Sequence, residues 1–272
     1  MNVGADARAA IAAYFESANK RFGPAQLERV QFACDRALSG TPARAPGRQA
    51  PEVFYFPGLP EHTYFDALQY GELAWVTQVL RDHYASLREE YVQHVRTDDL
   101  QAYEEQVSVA RPLREGRDDG VLLPKEKWGT FSLRVGGQRI PSAAQRCPVA
   151  ASLIDTLGTT LAADGALFFT VLSAGTRIPP HHDATNMRIT CHLGLIVPQD
   201  CGIRVDGAQS GWREAECLFF DSTYEHEVWN DSNVDRVCLM MDLWNPALTQ
   251  VERSVLTSLQ QILSVHTQGK SQ

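Results

Sequence analysis

Three of the chain's eight histidines, His181, His182 and His192, fall within twelve positions that also hold Asp183 and Arg188. The stretch reads RIPPHHDATNMRITCHLGL, residues 177–195. Imidazole and carboxylate groups together can hold a transition metal. Two histidines and one carboxylate on one face of an octahedron leave three positions open, the arrangement of non-haem iron(II) oxygenases. On an extended strand residues i and i+2 point to the same side, and His181 and Asp183 have that spacing. The second histidine must then come from a distant strand. His226 in FDSTYEHEVWN, 43 residues after Asp183, is the candidate. Arg236 follows ten residues later on the next strand-like run. A buried guanidinium there could pair bidentately with a carboxylate. The plainer readings are a surface-loop histidine after Pro179-Pro180 and an ordinary surface arginine.

The elements that would position these groups are legible from pattern. Residues 6–38 read as two helices, with apolar positions at three- and four-residue spacing and Gly23-Pro24 between them. They form a short helical hairpin assigned to residues 1–40. A Pro-, Gly- and Ala-rich linker is assigned to 41–51, and the main domain to 52–272. PEVFYFPGLP (51–60) reads as a short strand ended by a turn. Residues 72–96 form an amphipathic helix whose face runs through Leu73, Val76, Val79, Leu80, Tyr84, Leu87, Tyr91 and Val95; His83 and His94 on it read as surface or packing residues. After residue 125 strand-like runs follow at close spacing: WGTFSLRV, ALFFTVLSA, MRITCHLGLIV, CGIRVDG, ECLFFD, HEVWN and RVCLMMDLW. Turn residues separate most of them, which is the pattern of an all-β sandwich or barrel. The helices SLIDTLGTTLA and ALTQVERSVLTSLQQILSV pack against it. REEYVQH and REGRDDG read as solvated charge, the second within a loop, 98–124, that covers the pocket or merely connects.

Composition narrows the function classes. A chain of 272 residues with 44% hydrophobic content is long enough for one substantial core. Its net charge of −8 argues against a non-specific nucleic-acid binder. No apolar run is long enough to span a bilayer, and the N-terminus lacks a secretory pattern. The six cysteines are scattered with no C-x-x-C pair, so a cytoplasmic location is expected rather than a disulfide framework.

The pieces LSAGTRIPPHHDATNMRITCHLGLIVP, CGIRVDG, Trp212, FFDSTYEHEVWN, Asp235-Arg236 and DLWNP resemble, in this order, the aspartyl/asparaginyl β-hydroxylase family. The resemblance extends upstream through FYFPGL, LREEY and KWGTFSLRVGGQR, over roughly residues 51–250. It implies a mainly β fold, a double-stranded β-helix of jelly-roll or cupin-like type with packed helices. It also implies an Fe(II)- and 2-oxoglutarate-dependent dioxygenase using O2. Carried over residue by residue, His181 and His226 match the metal histidines, and Arg236 the arginine for the distal 2-oxoglutarate carboxylate. Thr170 stands where a serine assists that carboxylate, and His192 matches a histidine near the co-substrate. Arg188 and Trp128 match groups at the substrate pocket. Asp183 stands where animal peptide hydroxylases of the family have glycine, so a full facial triad of His181, Asp183 and His226 is expected. Thr190 stands where they have an arginine for the acidic substrate or co-substrate. The helical pair resembles the end of a tetratricopeptide-like region.

The expected reaction is hydroxylation of an sp³ carbon, the β-carbon by resemblance, in an amino acid, a carrier-tethered amino acid or a peptide. A lipid-linked acyl chain is the alternative substrate. A non-catalytic barrel that binds a ligand, and a zinc hydrolase using the same three side chains, are the competing classes.

Overall fold

The computed structural model describes residues 3–39, 47–103 and 123–268. The chain begins with α1 (Ala5–Phe22) and α2 (Pro24–Leu38). Gly23 parts them at φ 83°, in the left-handed region glycine enters at no steric cost, and Pro24 starts the second helix where its missing N–H loses nothing. Helix α3 (Gly71–His94) buries Leu73, Val76, Leu80 and Leu87. Short β1 (Gln101–Ala102) leads to β2 (Trp128–Val135) and β3 (Gln138–Arg139). Helices α4 (Pro141–Arg146) and α5 (Pro148–Leu157) follow.

Eight further strands complete the β region. They are β4 (Leu167–Leu172), β5 (Thr176–His181), β6 (Arg188–Ile196), β7 (Cys201–Val205), β8 (Ala208–Ser210), β9 (Cys217–Phe220), β10 (His226–Asn230) and β11 (Arg236–Trp244). Helix α6 (Gln250–Gln268) closes the described chain. The strands form two antiparallel sheets. The larger runs β1-β2-β4-β11-β6-β9 with β3 beside β2; the smaller runs β5-β10-β7-β8. Strand pairs distant in sequence, such as β4 with β11 and β5 with β10, give the jelly-roll connectivity of a double-stranded β-helix.

Burial explains why the two sheets read differently. The larger sheet is covered on both faces. One face packs on α3, α4 and α5, so its strands are apolar without alternation. The other faces the smaller sheet across a second cluster containing Trp128, Ile178, Trp212, Phe220 and Val228. The smaller sheet is solvated outside, and β10 alternates accordingly. A third cluster joins the N-terminal hairpin to α6 and takes in Phe56, Met187 and Trp244 from the barrel segment. The hairpin therefore shares a core with the barrel's helical end.

Three expectations need correction. PEVFYFPGLP does not form a strand; it makes a single bridge, Phe54 to Thr185, and its other backbone groups reach loops. Its apolar Phe56 instead is buried as a plug between hairpin and barrel. REEYVQH is not wholly solvated. Glu90 is 6% exposed and its carboxylate accepts from Val149 N and Ala150 N, at 2.7 and 2.8 Å, capping the start of α5. TRIPPH, not among the strand-like runs, is β5, an edge strand paired only with β10, where Pro is tolerated. REGRDDG, and with it most of the loop expected over the pocket, lies outside the described residues.

Candidate metal centre and anion pocket

His181 ends β5 and His226 begins β10, and the two are paired across the antiparallel ladder. The register shifts between His226 and Val228, placing an irregularity beside the site, where such bulges re-aim side chains. Asp183 lies two residues beyond His181. Ligand atoms of His181, Asp183 and His226 all lie within 4.8 Å of one another, and no other such metal-competent group occurs among the described residues.

The two imidazoles are held in the same way. His181 Nδ1 lies 2.8 Å from Pro179 O, and His226 Nδ1 lies 3.0 Å from Tyr224 O. A carbonyl only accepts, so each Nδ1 carries the proton and each Nε2 keeps its lone pair for a metal. Burial pushes His226 down to about 4, helped by neighbouring His181 and opposed by Asp183. It is therefore neutral, the form that ligates. His182 turns away and contacts Thr223 O at 3.0 Å. Two imidazoles and a carboxylate with open faces suit a divalent first-row metal.

A pocket opens beside these groups, walled by Tyr103, Trp128, Thr170, His192, Phe220 and Met240. Arg236, from the start of β11, lies at its wall and is 1% exposed. Its guanidinium sits 4.6 Å from the Trp212 ring centroid and donates to Cys238 Sγ at 3.3 Å. Its Nε has no hydrogen-bond partner, and it makes no ion pair with a carboxylate among the described residues. A buried cation without a counter-ion is costly unless an anion fills the space in front of it.

Thr170 on β4 lines the same wall. Its Oγ1 accepts from Trp128 Nε1 at 3.0 Å and keeps its own proton to donate. His192 on β6 accepts from Trp212 Nε1 at 3.1 Å through Nδ1, so its Nε2 carries the proton. Burial, with Arg236 and His226 nearby, holds His192 well below the usual imidazole range, hence neutral. Trp128 stacks on Tyr103 at 4.1 Å. Arg236, Thr170, His192 and Trp128 thus converge on the space next to the three candidate ligands.

Arg188 does not line that space. It lies on β6 with its Nη1 3.4 Å from Asp242 and 3.8 Å from Asp164. Burial alone would lower its pKa, but Asp242, Asp164 and Asp183 outweigh that and raise it. Thr190, next but one on the same strand, does line the pocket. Sequence reading missed Tyr103, Phe220 and Met240 as walls. The signal for Met240 was present: counting by twos along β11 from Arg236 reaches it through Cys238. Tyr103 and Phe220 arrive from separate segments and carried no such signal.

The family described as aspartyl/asparaginyl beta-hydroxylase matches residues 80–246. Aspartate beta-hydroxylase domain-containing protein 2 of Xenopus tropicalis is 32% identical over 221 residues, 79% of this chain and 55% of that protein. Human aspartyl/asparaginyl beta-hydroxylase is 33% identical over 144 residues, 52% of this chain and 19% of that protein. The chain thus spans about half the length, or less, of these curated relatives. Among solved structures, a Cupin 2 conserved barrel domain protein from Salinispora arenicola matches at TM-score 0.30 and 12% identity, over 53% of this chain and 95% of that one. No helix among the described residues is long and apolar enough to cross a membrane. With a family match over more than half its length, and with His181, His226 and Arg236 gathered on one jelly-roll barrel, the chain belongs to the aspartyl/asparaginyl β-hydroxylase family.

Proposed function

We propose that this chain is an iron(II)- and 2-oxoglutarate-dependent dioxygenase that hydroxylates an sp³ carbon, the β-carbon, of an amino acid, a carrier-tethered amino acid or a peptide. One observation carries the reading: a buried arginine with no carboxylate partner among the described residues faces the same pocket as two metal-ready histidines and an aspartate. A zinc hydrolase would use the three ligands but has no call for that cation. A binding barrel would have no call for the ligands.

His181, Asp183 and His226 would hold the metal. Iron(II) with 2-oxoglutarate and oxygen supplies the oxidant for an unactivated C–H bond, with succinate and carbon dioxide released. The chain's own work is placement. Arg236 neutralises the far carboxylate of the co-substrate with its two-pronged donor face, and the Thr170 hydroxyl donates beside it. His192, neutral and protonated on Nε2, offers one more donor without adding charge. Trp212 and Trp128 exclude water from the arginine and the hydroxyl, which strengthens both bonds. Asp183 fills the carboxylate position of the triad, which favours hydroxylation over transfer of a bound halide. Thr190 in place of an arginine leaves the wall near the substrate uncharged, so an acidic peptide has no dedicated cation there.

The test is succinate formation from 2-oxoglutarate after oxygen is admitted to protein loaded anaerobically with iron(II). Turnover is expected in the wild type and not in His181→Ala. Candidate amino acids and peptides that stimulate turnover then locate the substrate, with a lipid-linked acyl chain as the comparison. Wild-type protein that binds no iron and forms no succinate would sink the reading.

A further inference from the structure

The loop between β9 and β10, residues 221–225, touches the candidate metal centre through its backbone at three points in succession. Ser222 O accepts from Asp183 N at 2.8 Å. Thr223 O accepts from Ala50 N at 2.8 Å and lies 3.0 Å from His182 Nδ1. Tyr224 O lies 3.0 Å from His226 Nδ1. Consecutive carbonyls thus fix the backbone of one candidate ligand, turn a competing histidine away and set the tautomer of another. Carbonyls carry no sequence information, so something must hold their directions.

Asp221 is placed to do so. It is 0% exposed and both its carboxylate oxygens are engaged. Oδ1 accepts from Thr223 N at 2.9 Å and from Thr223 Oγ1 at 2.6 Å, closing a turn of the Asx type over the three carbonyls. Oδ2 accepts from Gln49 Nε2 at 2.7 Å. Gln49 opens the segment that also clamps the Asp183 loop, through Glu52 N to Asp183 O and through Val53 N and Phe54 N to Ala184 O. The loop and the clamp that meet at Asp221 therefore bear on both sides of the centre.

We propose that Asp221, anchored by Gln49, is a positioning residue for the metal centre: its side-chain bonds hold the carbonyls that aim Asp183 and His226. This inference rests on the metal reading above. Partners that orient ligands from outside typically change metal affinity by about 10–100-fold when removed.

The experiment is an anaerobic titration with cobalt(II), read by its visible absorption, on the full chain, with circular dichroism confirming the fold of each variant. Asp221→Ala should weaken cobalt binding about 10–100-fold. Asp221→Asn should come back to within about threefold of the wild type. Its Oδ1 keeps both Thr223 bonds, and Gln49 can turn its amide to accept from the new N–H. Because Asp221→Ala strands three buried donors and is at risk of unfolding, Gln49→Ala serves as the second variant and should also weaken binding. A purely structural Asp221 would lower the melting temperature of Asp221→Ala without moving the cobalt affinity of the folded protein, and that overturns the proposal. So does an Asn variant as weak as Ala, since then charge and not geometry acts, or a Gln49→Ala variant with wild-type affinity. Wild-type protein that binds no cobalt overturns the metal reading itself, a result distinct from all of these.

Discussion

Arg236 and His226 carry the sharpest consequences at the scale of single residues. Arg236 is buried with no carboxylate partner among the described residues, so an anion bound in front of it would offset its desolvation cost. Arg236→Leu should therefore leave the metal-free protein at least as stable in urea as the wild type. In wild-type protein loaded with manganese(II) without oxygen, 2-oxoglutarate at a hundred times its Kd should add about 2.7 kcal/mol, and in Arg236→Leu nothing. A large loss of stability in metal-free Arg236→Leu would show that the arginine has an internal role.

His226 makes the metal-free protein sensitive to acid. Burial, then the neighbouring His181, depress it from 6.5 to about 4. The unfolded chain takes up the proton at higher pH than the folded one, so stability rises with pH across that window. It is complete above about pH 6.5 and falls as pH drops toward about 4. His226→Gln should flatten the curve between those values in denaturant titrations of metal-free protein. An unchanged slope would place the pH dependence elsewhere.

At the scale of elements, the β7–β10–β5 ladder decides whether a centre exists. The side-chain period of a strand is two, so a slip of one residue in β10 would send His226 to the solvent face. Gly202 on β7 helps hold the register. It stands opposite Trp229 on β10, and a Cβ there would lie 2.2 Å from the Trp229 ring. Arg177 and Arg204 approach the same ring at 6.0 and 5.7 Å, so it cannot shift freely. Gly202→Ala should cost about 1–3 kcal/mol in thermal unfolding, the usual penalty of overpacking. Adding Trp229→Leu should restore part of that; no recovery in the double variant would mean the strain lies in the backbone.

At the scale of the whole molecule, the N-terminal hairpin acts as a wall of the barrel's helical end. Arg29 on α2 reaches Glu252 on α6 through two bonds of 2.8 and 2.7 Å, and Glu252 is 3% exposed. Arg29 also donates to Gly58 O at 2.8 Å, tying the segment that follows the linker. Arg29 is about a third exposed, so the pair is discounted for solvent. Arg29→Ala should cost about 1–2 kcal/mol by leaving a buried carboxylate short of partners, with one cooperative unfolding transition retained. Two separate transitions in the wild type would instead make the hairpin an independent unit.

Sequence alone determined most of the helices and most strands of the barrel, though not α4, and singled out the candidate side chains. Apolar period reports directly which face a segment buries, and His181, Asp183, His226 and Arg236 are chemically unusual for such strands. Tertiary structure decided what those side chains face. The tautomers of His181 and His226 depend on the carbonyls of Pro179 and Tyr224, groups every residue possesses. The surroundings of Arg236 with no carboxylate partner among the described residues, the ion pairing of Arg188 with Asp242, and the burial of Glu90 over α5 each depend on other elements. Pro179 and Pro180 masked β5, because a local rule against proline in strands says nothing about which strand lies at an edge. The bond from Gln49 to Asp221 spans 172 residues and has no periodicity to announce it. A pattern in sequence records which face of an element avoids water, whereas a site is made where faces of several elements meet, and that meeting is fixed only by packing the whole chain.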